Sequence, residues 1–175
     1  ASVVQTAGSG TTALNLGNFT AGTDQAVGTS GALGVSITAH TIAVNDRIDT
    51  ASGGTVTLDA TTGGVTIAAA GDISADGEVM ITGAGGISTA GDVTTTTDDV
   101  TFVSATTLTG GVQIATGAGA GTIGFDSTVD GTTAGTEDLT LTAGTGDVVF
   151  TGLVGDTTAV GAIEVVSAGA VTGNG

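Results

Sequence analysis

The sequence lacks cysteine, proline, tryptophan, tyrosine and lysine, and four phenylalanines are its only aromatic residues in 175 positions. Without tryptophan and tyrosine we expect neither a core of large aromatic side chains nor an aromatic platform that holds a sugar. Without cysteine no disulfide can staple the fold, which fits a protein exported without disulfides. Because proline removes a backbone donor from a central strand, its absence favours a chain rich in strands.

Positive charge is almost absent, since Arg47 is the only Lys or Arg and 17 acids bring the net charge to −16. A phosphate backbone or an anionic lipid surface needs several cations, so nucleic acid and acidic membrane surfaces are excluded as partners. A helix that crosses a bilayer takes an apolar run of about 20 residues. The sequence contains no such run, so we expect no transmembrane helix and no membrane insertion. It begins without Met and shows no signal peptide, and we expect a mature chain or a segment of a longer one.

Short alternating strands fill the rest of the chain. Gly77-Glu78-Val79-Met80-Ile81 and Gly146-Asp147-Val148-Val149-Phe150 share one pattern, in which a glycine and an acid precede apolar residues at every second position. Apolar residues make up 39% of the chain and the mean hydropathy is +0.46. This alternation favours half-buried strands over disorder. No stretch shows the helical hydrophobic period and the caps of a helix.

The strands recur at a nearly constant interval. Val56, Val79 and Val100 follow one another at intervals of roughly 21 residues, and so do the series Val65, Ile87, Leu108 and Ile73, Val93, Val112. In the last third the interval lengthens to roughly 25 residues, as between Ile123 and Val148, Val129 and Val154, and Leu139 and Ile163. Three short strands in each repeat of roughly 20–25 residues predict an all-β fold, a right-handed parallel β-helix (β-solenoid) of three sides.

The chain length divided by this period predicts seven to eight coils in a single domain, residues 1–175. Residues 1–50 are expected to form less regular coils and residues 51–175 regular ones. Val3 and Val171 lie close to the two ends, and neither end shows an obvious polar cap. An uncapped solenoid edge exposes unpaired backbone, so we expect a segment or a subunit of a larger assembly.

The regular coils resemble repeats of large bacterial surface proteins. The stretches that carry the resemblance are residues 135–150, 154–158 and 163–169, with 53–60 as a further coil. They are similar to the filamentous-haemagglutinin-like and β-strand-repeat families. The resemblance implies a parallel β-helix, export to the bacterial cell surface, and a role in adhesion or in building an extracellular layer. It implies no catalytic residue, and cell-surface carbohydrate is the partner that adhesion would require.

Calcium is the cation that this acidic sequence suggests. Calcium prefers several hard oxygen ligands, and stacked coils bring equivalent corner residues to about 5 Å from one another. The candidate ligands are Asp72, Asp76, Asp92, Asp98 and Asp99. The glycine-rich repeat of calcium-binding rolls and the spacing of EF-hands are absent. The alternative interpretation is a solvated acidic surface that resists aggregation.

Catalysis has little support in the sequence. A carboxylate pair for glycoside hydrolysis could come from Asp72 and Asp76 or from Asp126 and Asp130. His40 has no nucleophile motif beside it, and Arg47 lies between two acids with which it is expected to form a local ion pair. We therefore expect no enzyme.

The leading functional hypothesis is an extracellular structural protein that forms a fibre or surface layer by end-to-end stacking with itself, head to tail. One alternative is the stalk of a surface adhesin, in which the flanking coils belong to the same chain. The other alternative is a carbohydrate-acting β-helix enzyme.

Overall fold

The computed structural model describes residues 3–6, 8–15 and 27–173. These residues form strands and turns and contain no helix. All strands lie in three parallel sheets, and almost every strand pairs with the strand three places earlier or later in the chain. The chain therefore visits the three sheets in turn and winds along one axis, which is the predicted parallel β-solenoid.

Sheet A contains β1 (Val3–Gln5), β4 (Val35–Ala39), β7 (Val56–Ala60), β10 (Val79–Gly83), β13 (Val100–Phe102), β16 (Ile123–Phe125), β19 (Val148–Phe150) and β21 (Val171–Gly173). Sheet B contains β2 (Thr11–Leu14), β5 (Thr41–Val44), β8 (Val65–Ile67), β11 (Ile87–Thr89), β14 (Thr106–Leu108) and β17 (Val129–Gly131). Sheet C contains β3 (Val27–Thr29), β6 (Ile48–Thr50), β9 (Ile73–Ser74), β12 (Val93–Thr94), β15 (Val112–Ala115), β18 (Leu139–Thr142) and β20 (Ile163–Ser167).

Six coils carry a strand in all three sheets, so the predicted count of seven to eight is slightly too high. A seventh coil has β19 and β20 but only an isolated bridge, Val129 with Val154, on the side of sheet B. The first coil is longer than the next, because Val3 pairs with Val35, whereas Val35 pairs with Val56. Residues 16–26 of this stretch lie outside the described residues. From Val35 onward one turn of sheet A takes roughly 21 to 25 residues, as expected for such a solenoid.

The core is a set of columns that run along the solenoid axis. Alternate residues of each strand point inward, and the buried residues are mostly Val, Ile and Leu. In one column of sheet A every coil carries a β-branched residue, from Val3 to Val171. Two residues further along the same strands, Phe102, Phe125 and Phe150 stack with ring centroids 5.1 and 5.2 Å apart. The core is therefore mainly aliphatic, with one stack of three phenylalanines.

The pairing register confirms some of the predicted series and corrects others. Val56 pairs with Val79 and Val79 with Val100, as predicted. Ile87, however, pairs with Thr106 rather than with Leu108, and Val93 pairs with Ile114 rather than with Val112. Residues two apart on a strand share a face, so hydrophobic spacing alone cannot separate registers that differ by two.

Candidate functional site at the corners and the terminal coils

Aspartates occupy one structural position at the corners of the solenoid. Five of them directly precede the first inward residue of a strand, and each accepts a backbone N–H from the coil that follows. Asp72 accepts the N–H of Asp92, Asp92 that of Gln113, Asp99 that of Thr122, Asp138 that of Ala162 and Asp147 that of Ala170, all at 2.7 to 2.9 Å. The carboxylate thus replaces the strand partner that this corner N–H lacks.

Asp92 shows how one such residue connects three coils. Its carbonyl oxygen accepts the N–H of Ile73 at 2.8 Å. Its own N–H donates to the carboxylate of Asp72 at 2.9 Å, and its own carboxylate accepts the N–H of Gln113 at 2.7 Å. In Gly71-Asp72-Ile73, Gly91-Asp92-Val93 and Gly146-Asp147-Val148, the acid of the Gly-acid-apolar motif therefore binds a backbone N–H of the following coil.

The calcium candidates are distributed over different corners. Asp72 and Asp92 lie on successive coils at the entry to sheet C. Asp76 lies beyond the other end of β9, where it accepts the N–H of Gly53 at 2.9 Å and the hydroxyl of Thr96 at 3.0 Å. These hydrogen bonds, that of the Gly53 N–H first, lower the pKa of Asp76.

Asp98 and Asp99 belong to the corner that leads into sheet A. The Asp98 backbone carbonyl accepts the hydroxyl of Thr95, whereas Asp99 is a corner acceptor of the kind described above. Among residues 3–6, 8–15 and 27–173, no three His, Cys, Asp or Glu side chains group closely enough to hold a metal ion. Calcium binding thus stays a prediction, and four of its five candidate ligands (Asp72, Asp76, Asp92 and Asp99) accept backbone N–H groups.

Glu137 is a buried acid whose role the sequence analysis did not identify. The Glu137 residue is only 6% exposed. It accepts the Thr132 hydroxyl at 2.6 Å and the backbone N–H of Thr133 at 3.2 Å. These bonds, that of the Thr132 hydroxyl first, lower the pKa of Glu137 to about 2. The Glu137 carboxylate therefore stabilises the long turn between β17 and β18 through hydrogen bonds inside the turn. In the sequence, the only signal for these bonds is that Thr132 and Thr133 lie five and four residues before Glu137.

Arg47 and His40, the single Arg and the single His of the sequence, contact residues close to them in the chain. Arg47 Nη2 lies 2.6 Å from Asp49 Oδ1, which confirms the predicted ion pair. The Arg47 side chain also lines a shallow groove of about 160 Å³ with Asp72 and Asp92. His40 is exposed, and its Nδ1 lies 3.1 Å from the Thr41 hydroxyl. The contacts of both residues are thus ordinary surface contacts.

The carboxylates considered for glycoside hydrolysis lie at the following places in the fold. Asp72 and Asp76 lie at opposite ends of β9. Asp126 follows β16, whereas Asp130 lies within β17 and accepts the N–H groups of Thr157 and Thr158. The three described phenylalanines are all buried in the core, so none of them lies on the surface to hold a sugar ring.

The last coil leaves apolar side chains and strand edges uncovered. β20 and β21 are the terminal strands of sheets C and A. Ile163 is 42% exposed, Val166 59% and Val171 56%. Every interior coil buries the residue equivalent to Val171 completely. The described residues thus offer a hydrophobic end face with an unpaired backbone edge.

The first coil is different, because two of its positions that pair with core residues are polar. Gln5 pairs with Ile37 and Thr12 with Ile42 in the next coil. The Gln5 amide donates to the Thr12 hydroxyl at 2.8 Å, so the two polar side chains satisfy each other. This pair is a partial polar cap that sequence reasoning missed, because Gln5 and Thr12 lie on different strands and meet only in the fold.

Comparisons with known proteins do not assign this chain to a family. No family model, no curated protein and no solved structure matches the chain. The resemblance to filamentous-haemagglutinin-like repeats therefore stays an expectation from the sequence. Within the described residues no helix is long and apolar enough to cross a membrane.

Proposed function

We propose that this protein is an extracellular structural protein whose solenoid coils stack end to end in a fibre or surface layer. The observation that carries the proposal is the open face of the last coil, where β20 and β21 expose Ile163, Val166 and Val171. Unpaired strand edges bind further strands. A further coil laid on this face would bury Val171 and pair the free backbone groups.

The side walls of the solenoid favour growth along the axis over lateral association. The chain has 17 acids and one Arg, so the side walls of two rods are both negatively charged and repel each other. The exposed large apolar side chains on the described side walls are Leu33 at 77%, Met80 at 37% and Leu153 at 44%, each on a different coil. Charged, patch-free walls and apolar ends direct association to the ends.

A stalk of a surface adhesin is the second candidate. The same open edge supports it, because the β-branched column of sheet A continues without a break to Val171. In a stalk, the coil that covers this edge belongs to the same chain. The two candidates differ in one respect: a subunit assembles with other copies, whereas a stalk segment of this length stays a short rod.

Electron microscopy and sedimentation of the 175-residue chain over a concentration series would test the proposal. We expect rods that lengthen with concentration and a fibre repeat of about 4.8 Å, the spacing of neighbouring strands. Rods of one fixed length at all concentrations would contradict self-assembly and favour the stalk. The same series with added calcium and with a chelator shows whether the acidic corners take part.

A further inference from the structure

We infer that two copies join head to tail through sheet A, where β21 of one copy pairs in parallel with β1 of the next, with Val171 facing Val3. The inference rests on the proposed function, since it names the strands and the register by which copies stack. Three features of the two end faces support it: their charge, the direction of their backbone and their side-chain columns.

The charge of the two ends differs in a way that opposes a joint between two C-terminal faces. Residues 1–45 contain one acid, Asp24, which lies outside the described residues, whereas residues 126–175 contain seven. Glu164 is exposed on β20, at the C-terminal face. Two C-terminal faces brought together would therefore place like charges opposite each other, a repulsion that a C-terminal face on an N-terminal face avoids.

The backbone of sheet A has one direction throughout. The inward residue of each coil donates its N–H to a carbonyl of the following coil, as Val35 does to Thr55 at 2.8 Å and Val148 does to Ala170 at 2.9 Å. Val171 occupies the same position on β21. In a parallel ladder with Val3 as its partner, the Val171 carbonyl would accept the N–H of Val4 from the second copy. Val4 lies on the outermost strand of sheet A and is 61% exposed.

The side-chain columns also continue across this joint. Val3 stacked on Val171 would extend the β-branched column that runs through all eight strands of sheet A. In the neighbouring column, Gln5 would lie over Gly173, which itself follows Phe150. Gly173 has no side chain, so the long Gln5 side chain has room above the last phenylalanine ring.

Cysteine cross-linking would test the direction and the register together, and the chain contains no cysteine of its own. In the inferred register the outward residues Val4 and Thr172 are neighbours across the joint. Adjacent strands place their Cα atoms about 4.8 Å apart, which a disulfide can bridge. We expect a disulfide dimer when the Val4→Cys and Thr172→Cys variants are mixed and oxidised, and none with either alone. A mixture of Met80→Cys and Thr172→Cys is the matched control, and should give far less dimer.

Each other outcome overturns the inference in a recognisable way. Dimers of Thr172→Cys alone would show that two C-terminal faces meet, and dimers of Val4→Cys alone would show that two N-terminal faces meet. Lengthening rods without a cross-link in the mixture would contradict this register while leaving the proposed function intact. Rods of fixed length with no cross-link in any mixture would refute both. Independently, Val171→Lys should abolish lengthening, whereas Met80→Lys, in the middle of the same sheet, should not.

Discussion

Replacing Asp92 separates the hydrogen-bonding role of the corner aspartates from their charge. The Asp92 carboxylate accepts the Gln113 N–H at 2.7 Å. Asp92→Ala removes this acceptor, while the backbone bonds of residue 92 to the preceding coil are retained. Asp92→Asn keeps an oxygen acceptor in the same place and removes only the charge. The two variants should therefore differ although both remove one negative charge.

The size of the effect follows from the environment of the bond. A hydrogen bond to a charged acceptor contributes roughly 1.5–3 kcal/mol, and loss of a side-chain cap on a backbone N–H costs about 0.5–2 kcal/mol. Because Asp92 is only half buried, water partly replaces the lost acceptor. We expect Asp92→Ala to lower the free energy of unfolding by about 1–2 kcal/mol. Asp92→Asn should cost less than about 0.5 kcal/mol, since its amide oxygen can still accept the Gln113 N–H.

Urea unfolding followed by far-ultraviolet circular dichroism is the suitable assay, because the chain has no Trp or Tyr to report by fluorescence. Exchange of the Gln113 amide hydrogen adds a local readout, and it should be faster in Asp92→Ala than in Asp92→Asn. Asp126→Ala is the charge-matched control, since Asp126 is exposed on the described surface. Equal losses in Asp92→Ala and Asp92→Asn, or in Asp92→Ala and Asp126→Ala, would refute the acceptor role.

Three further predictions follow from the core, the buried acid and one turn. Phe125→Ala should lower the free energy of unfolding by about 3–5 kcal/mol and Phe150→Ala by about 1 kcal/mol less, because Phe125 stacks on rings at both sides and Phe150 on one; urea midpoints that coincide would contradict this. Glu137 has a pKa lowered from 4.5 to about 2, so its stabilisation is complete above pH 4.5 and is lost as the pH falls toward 2; Glu137→Gln should be less stable than the wild type at pH 6 and equal to it below pH 2 in parallel urea titrations. Gly34→Ala places a side chain at a positive φ of 60° and against the backbone of the neighbouring coil, whereas Gly53→Ala places one at a φ of 76° in open space. The melting temperature should therefore fall further in Gly34→Ala than in Gly53→Ala. An equal fall in the two variants would show that the close approach is unimportant.

The fold was predictable because one physical rule repeats along the chain. Alternating apolar residues that recur at roughly every 21 to 25 positions define strands, faces and sheets without knowledge of any neighbour. The pair Val56 and Val79 shows this, since their spacing alone indicated the correct partner. The register of Val93 was missed because Val112 and Ile114 share a face and fit the pattern equally well. Spacing determines which face a residue occupies and leaves the choice between adjacent inward positions to packing.

The site features were harder to predict because they depend on contacts between coils. Asp72 and Asp92 directly precede Ile73 and Val93, which the sequence predicted to be equivalent, and the structure places the two acids on successive coils. It did not show that each carboxylate holds a backbone N–H, since that geometry requires the corner conformation. Glu137 and Asp138 look alike in the sequence, yet one is buried in a turn and the other lies at a corner. The difference comes from the long turn between β17 and β18, whose path no local propensity determines.

The columns also explain how the core accommodates its phenylalanines without any larger residue. A solenoid keeps nearly the same cross-section at every coil, so a large inward side chain needs a smaller one at the same level. The coil of Phe125 carries Gly131 in sheet B, where the preceding coil carries Leu108. Tryptophan would require a further compensation, and tyrosine would also bury a hydroxyl that needs a partner. The composition from which the fold was inferred is thus a consequence of stacking coils of equal width.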